Sequence, residues 1–502
     1  ESTNSVAENA FYNGGVNTKE YAVNAQAYIN IDIMEGLRWQ TKAGVNYADH
    51  MSKNHQYNTP SYFYQKDPGA EDFTRDNEGG SKKLGLTDNY NKSVLPTLFS
   101  TLNYENQLNE NHRINVLAGY EQQSYRYNYI SGFRQTFPTN DLKELDAGAS
   151  DGQTVSGSSN EWALRSFFGR ANYAFRDKYL LEANVRYDGT SRVSPQNRWG
   201  VFPSASVGWR VSEENFMKFS WLNNLKIRAS LGKLGNQEIG LYPYQDILNL
   251  TNYPFGSSVD QGVLLTRMTD KNLKWETTTA LDIGLDFTIY NGMFDVTLDW
   301  FKKNTTDILT TLPVPESLGL SGPVTNDGEL QNTGWEVALT HKKQIGEFYY
   351  SANFMFSSFK NELTSIAVPT KGEREVGLPY NSHYIYEWIG IMQSEEEIAN
   401  SPEQVFFPPS PGDLKIKDQN GDNIVNQEDR ISISPYPDFT YSFGVNTEWK
   451  GFGLSLFFQG SQGNKMKLNG WGWDPFVQGD PPTTRFYDAW TPENPSNTVP
   501  AI

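Results

Sequence analysis

The sequence predicts an all-β chain whose strands cross a membrane as an antiparallel barrel with long extracellular loops. Three observations carry this expectation: a strict period of two over many long segments, an aromatic-rich but otherwise polar composition, and connections that alternate between tight turns and long loops. The chain has 502 residues, and 14% of them are aromatic within a hydrophobic fraction of only 37%. An aromatic girdle, a polar lumen and wet loops account for that mixture better than a soluble core does. No stretch nears the roughly 18 to 20 continuous apolar residues of a membrane helix, a test to which membrane strands are invisible. Cysteine is absent, which excludes disulfides and thiolate metal sites. The net charge is −17 and no Lys/Arg cluster forms a basic patch, so nucleic acid is not an expected partner.

The alternation is clearest from Leu281 to Ile289. Leu281, Ile283, Leu285, Phe287 and Ile289 fall on one face, and Asp282, Gly284, Asp286 and Thr288 fall on the other. A Tyr290-Asn291-Gly292 turn leads into Phe294, Val296, Leu298 and Trp300, set against Asp295, Thr297 and Asp299, which reads as a hairpin. The run Phe167 to Phe175, the Arg176-Asp177 turn and the run Tyr179 to Tyr187 repeat the pattern. So do Phe439 to Val445, the Lys450-Gly451 turn and Leu454 to Phe458. Further hairpins are expected at about 21–56, 93–134 and 333–361, and single strands near 200–211, 224–234 and 383–391. The expected total is roughly fourteen or fifteen strands, with long connections at about 57–92, 135–161, 236–274, 309–331, 364–382 and 394–437.

Residues 418–429 within the 394–437 loop carry the sharpest local motif. Asp418, Asn420, Asp422, Asn426 and Asp429 place oxygen side chains at positions 1, 3, 5, 9 and 12, and Ile424 offers a carbonyl at position 7. This EF-hand-like spacing suits Ca²⁺ as a structural ion, because alternate positions in a tight loop converge on one point. Asn423 stands where such loops carry glycine and tolerates a left-handed backbone, while Asp429 has a shorter arm than the usual glutamate. The other reading is a polar turn that holds no ion. Trp471, Trp473 and Trp490 lie in aromatic loop text near the end of the chain. Their flat faces beside amides and carboxylates suit sugar rings; an interfacial girdle or packing against a partner is the alternative. Asp282, Asp286, Asp295 and Asp299 are expected as solvated wall groups or partners for arginines of a plug, rather than as a catalytic pair. The five histidines show no paired-ligand spacing, and neither a phosphate loop nor a nucleophile elbow occurs, so no enzyme is expected.

Several runs together resemble the SusC/RagA-type TonB-dependent transporters. They are Lys178-Tyr179-Leu180, Arg186-Tyr187-Asp188-Gly189-Thr190-Ser191, Arg198-Trp199-Gly200-Val201-Phe202-Pro203-Ser204 and Gly208-Trp209. Leu225 to Ser230, Asn272 to Glu276, Lys302 to Leu309, Asn332 to Glu336 and Trp490 to Pro495 continue the match in order over about residues 160 to 495. The resemblance implies a barrel of about 22 strands in an outer membrane, closed by a plug that precedes the barrel. It further implies active import of oligosaccharides or peptides, driven through TonB, with a SusD-like surface lipoprotein as lid. On that expectation residues 1–502 are part of the barrel, and the plug and the last strands lie outside the text. Two other classes share features of the sequence: a passive porin or scaffold barrel, and a soluble aromatic-rich β protein that binds glycans.

Overall fold

A computed structural model describes residues 15–56, 59–65, 74–82, 85–256, 258–406, 408–468, 470, 473–477 and 482–502. Its dominant feature is one antiparallel sheet of 14 strands in which chain neighbours are hydrogen-bonded neighbours. We label them β1 (Gly15–Met34), β2 (Leu37–Gln56), β3 (Gly85–Asn109), β4 (His112–Gln135), β5 (Ala149–Phe175), β6 (Tyr179–Thr190) and β7 (Trp199–Arg210). The series continues with β8 (Leu222–Asn236), β9 (Glu276–Ile289), β10 (Phe294–Thr306), β11 (Glu329–Ile345), β12 (Phe348–Ser365), β13 (Phe439–Trp449) and β14 (Phe452–Gln462). Such a meander follows from the tight turns. Arg176 and Asp177 both take positive φ, as do Lys450 and Gly451, the backbone twist a two-residue hairpin needs. Short connections at 35–36, 110–111, 176–178, 290–293, 346–347 and 450–451 alternate with long ones, and 211–221 is the longest on the short side.

Pairing register turns the period of two into two continuous surfaces. On one face Trp209 pairs with Ile227, Ile227 with Leu285, Leu285 with Leu298, Leu298 with Val337, Val337 with Phe356 and Phe356 with Tyr441. One residue along each strand, Arg228, Gly284, Asp299, Glu336, Ser357, Thr440 and Ser461 form the matching row on the other face. Among the described residues, far more large apolar side chains are exposed than buried. Among the described residues no second sheet covers the apolar rows; Trp209, Ile227 and Tyr441 are exposed. Apolar surface on that scale is stable against hydrocarbon and not against water, which removes the soluble sandwich. Aromatics mark both ends of the apolar face on β6 and β7. Tyr187 stacks on Trp199 at 4.6 Å between ring centres, and at the opposite strand ends Tyr179 stacks on Trp209 at 6.4 Å. These are the two borders of a membrane-facing band.

The chain falls into two compact units, Glu1–Asn103, Ala118–Phe167 and Asp188–Arg192 in one, Tyr104–Leu117, Phe168–Tyr187 and Val193–Ile502 in the other. The first holds a small apolar cluster in which Leu86 and Phe137 are buried beside Leu145 and Ala147. The second holds the rows above.

Three expectations need correction. The expected connection at 135–161 is shorter, because β5 begins at Ala149. Residues 149–161 are polar on both faces and mostly exposed, so strand pairing continues where no hydrocarbon imposes alternation. The 57–92 connection is likewise interrupted by strands at Thr59–Gln65 and Thr74–Lys82, and β3 resumes at Gly85. The strand expected at 383–391 is not part of the wall. It splits into His383–Tyr386, paired with Arg430–Ile433, and Trp388–Ile391, paired with Leu414–Ile416, both inside the long loop. The 236–274 connection carries its own hairpin, Leu248–Phe255 with Ser258–Leu265.

Candidate functional site

The polar face of β8 to β11 is organised around Arg228. Its Nε donates to Asp286 Oδ2 at 3.1 Å, Nη1 to Asp282 Oδ1 at 3.1 Å and Nη2 to Asp299 Oδ2 at 2.7 Å. One guanidinium thus presents separate N–H groups to three carboxylates on two neighbouring strands, a geometry its fixed fork allows and an ammonium does not. Gly284 makes room for it: a Cβ there would lie 2.3 Å from Arg228 Cζ. Asp295 takes Lys342 Nζ at 3.0 Å. The expected wall aspartates therefore find their cations in the wall itself. Sequence reading missed Arg228 as their partner, although it sits in the alternating run Leu225-Lys226-Ile227-Arg228; only register puts it between Asp282 and Asp286.

Two concavities open on this face. One, of about 490 Å³, is lined by Glu105, Arg113, Glu182, Lys226, Arg228 and Asp282. The other, of about 780 Å³, is lined by Asp299, Glu336, Met355, Ser357, Thr440 and Gln459 among others. Both mix charge and hydroxyls, as a water-filled passage requires.

The loop motif is closed by its own side chains. Asp418 accepts the backbone N–H groups of Gly421 at 2.7 Å and Asn423 at 2.8 Å. Asn420 accepts from Asp422 N, Asp422 from Ile424 N and Asn426 from Glu428 N. Asn423 takes φ 65°, the left-handed backbone expected where a glycine would otherwise stand. Asp429 is fully buried and joins the two ends of the loop, accepting from Gln419 N and Asn426 N, both at 2.8 Å. Burial alone would push its carboxyl up, but the N–H donors of Asn426, Gln419 and Asn420 hold it below the usual carboxylate range. Ile424 belongs to a two-residue strand paired with Glu403–Gln404. Among the described residues no three acidic or histidine side chains converge on one point.

The aromatic candidates separate. Trp471 lies outside the described residues. Trp473 is exposed, with the Arg485 guanidinium 5.0 Å from its ring centre. Trp490 is committed to packing: its indole N–H donates to Gln393 Oε1 at 2.9 Å, and its ring fills the space above Gly412. Gln393 also donates to Ser496 O at 3.0 Å, and Ala501 N reaches Gly412 O at 2.9 Å, so the segment after residue 488 is tied to the loop near residue 400. No local sequence signal marked Gln393 or Gly412.

Comparison with known proteins agrees with this architecture. The family model described as "TonB dependent receptor-like, beta-barrel" matches residues 2–491. TonB-dependent receptor P26 of Formosa agariphila is 32% identical over 422 residues, covering 80% of this chain and 42% of that protein. TonB-dependent receptor SusC of Bacteroides thetaiotaomicron is 28% identical over 377 residues, covering 70% of this chain and 36% of that protein. The RagAB peptide importer in its open-open state superposes with a TM-score of 0.78 at 23% identity, covering 97% of this chain and 52% of that one. The chain thus spans less than half the length of these curated relatives.

Proposed function

Because the chain belongs to the TonB-dependent receptor β-barrel family of the bacterial outer membrane, a family of transporters and not of enzymes, we propose that the whole protein imports a large nutrient across that membrane. The observation that carries this reading is the pair of opposed surfaces on β7 to β14, one with a continuous apolar row and one built of charges and hydroxyls that line two concavities. The cargo is an oligosaccharide or a peptide, the classes implied by the family resemblance; that the RagAB structure is of a peptide importer supports the second, and the exposed face of Trp473 suits a sugar ring. A SusD-like surface lipoprotein closes the entrance, and TonB supplies energy through a part of the protein outside this chain. Calcium at 418–429 is part of the same proposal, as an ion that stiffens the loop; the spacing of oxygen side chains and the left-handed Asn423 support it.

The test is uptake by cells that carry the full-length protein or a deletion of it, supplied with labelled oligosaccharides and peptides, with and without a protonophore. Uptake that needs both the protein and the proton-motive force is expected. Uptake that persists when the force is collapsed would leave a passive porin. Co-purification of a lipoprotein with the tagged full-length protein tests the lid.

A further inference from the structure

The membrane-facing side of β4 to β7 is not uniformly bulky. Between the Tyr187–Trp199 pair at one border and the Tyr179–Trp209 pair at the other lies a groove of about 440 Å³. Its floor is Ala171, Ala183 and Ala205, and its sides include Ile114, Val116 and Val207. It crosses four adjacent strands, which at a spacing of about 4.8 Å makes it about 14 Å wide. At about 30 Å³ per water-sized group it has room for about fifteen such groups. Water has no partner there: the surface that lines it is almost wholly apolar, and Asn172, Glu182 and Ser206, which border it, alternate with the floor alanines and belong to the polar face. It opens on the apolar face, the one already in contact with hydrocarbon.

Depth selects the occupant. The lining residues lie close to the short turns at 110–111, 176–178 and 211–221. Short turns mark the periplasmic side of such barrels, so the groove faces the inner leaflet, which is phospholipid. At its lower border Phe175, Tyr179 and Trp209 form a row, with ring centres 6.2 and 6.4 Å apart. Tyr179 and Trp209 reach down to Glu214, donating at 2.6 and 3.3 Å, while Lys178 Nζ meets the same carboxylate at 3.2 Å. An aromatic row anchored to a charged cluster sits where hydrocarbon gives way to headgroups.

We propose that this groove holds one phospholipid acyl chain as a retained partner of the barrel rather than as exchanging bulk lipid. An acyl chain fills a dry apolar trough that protein side chains leave empty, and its headgroup lies at the aromatic row. Phenylalanine at Ala183 or Ala205 occupies the floor without placing a polar group in hydrocarbon.

The experiment uses the full-length protein purified from outer membranes in mild detergent, with bound phospholipid and lipopolysaccharide counted per barrel by mass spectrometry. Ala183→Phe with Ala205→Phe is compared with Leu298→Phe, which adds bulk elsewhere on the same face, and with the milder Ala183→Leu should the double variant fail to assemble. The expected result is about one phospholipid per wild-type barrel, unchanged in Leu298→Phe and reduced about fivefold or more in the groove variant. Equal phospholipid in all variants overturns the proposal, as does retention of lipopolysaccharide alone. It is also overturned if the groove variant loses a dimer at unchanged lipid content, since a second protein copy would then be the occupant.

Discussion

Arginine in place of Leu285 tests the assignment of the two faces. Leu285 lies in the apolar row between Ile227 and Leu298, five residues before Tyr290 at the turn. At about 3.4 Å per residue the strand covers about 17 Å between them, or about 13 Å of height at a tilt near 40°. An apolar band about 25 Å tall, with Tyr290 at its edge, then places Leu285 close to the midplane. A guanidinium there costs about 2–4 kcal/mol, or roughly 30- to 900-fold in the folding equilibrium. The control must sit on the polar face, and the structure decides which residue serves. Asp286 is engaged by Arg228, so a second guanidinium there would add repulsion as well as remove an acceptor. Thr297 is the better choice, because it is paired with Asp286 on the polar face and lines the 780 Å³ concavity. Thr297→Arg is expected to cost under about 1 kcal/mol. The assay is denaturant unfolding of the full-length barrel in phospholipid vesicles, with Leu285→Arg and Thr297→Arg measured side by side. Equal costs, or a larger cost for Thr297→Arg, would refute the division into lipid and lumen faces.

Four shorter predictions follow from the same geometry. Arg228→Met leaves Asp282, Asp286 and Asp299 without their cation; since all four are partly solvated, the expected loss is about 2–3 kcal/mol, less than for a fully buried pair, read in the same unfolding assay. Gly284→Val displaces the Arg228 guanidinium and should destabilise to a similar degree, whereas Gly346→Val, where a Cβ meets nothing, tests only the backbone cost of a positive φ. Asp429 has its carboxyl lowered in the folded loop, so its contribution is complete above its unfolded value of about 3.9 and is lost as pH falls through the lower folded value. Limited proteolysis at 394–437 should therefore rise only below about pH 4, and Asp429→Asn should make the loop labile at neutral pH. Asp418→Ala with Asp422→Ala should abolish bound calcium and raise protease sensitivity; no calcium in the wild type would remove the ion from the proposal.

Alternation is a local property, so the strand class was legible in the sequence. A residue two places on points the same way whatever the rest of the chain does, and the apolar members of Leu281 to Ile289 are unmistakable. The tight turns were legible for the same reason, since Asn291, Gly292 and Gly451 are residue types suited to positive φ. Loop interiors were not. Residues 149–161 pair as strand without an apolar face to announce it, and 383–391 reads as a wall strand although both its halves pair inside the loop.

Motif spacing places alternate oxygen side chains along the tight loop 418–429. That those oxygens would each take a backbone N–H, with Asp429 sealed inside, depends on how the two loop ends meet. The same holds for Arg228, whose three partners are 54, 58 and 71 residues away in the chain, and for Trp490, whose partner Gln393 is 97 away. The sequence by itself determined which side chains face lipid and which face water, because that follows from neighbours along one strand. Only the tertiary structure decided which charges meet, because side chains far apart in the chain become partners through strand register and loop packing, and neither leaves a local trace.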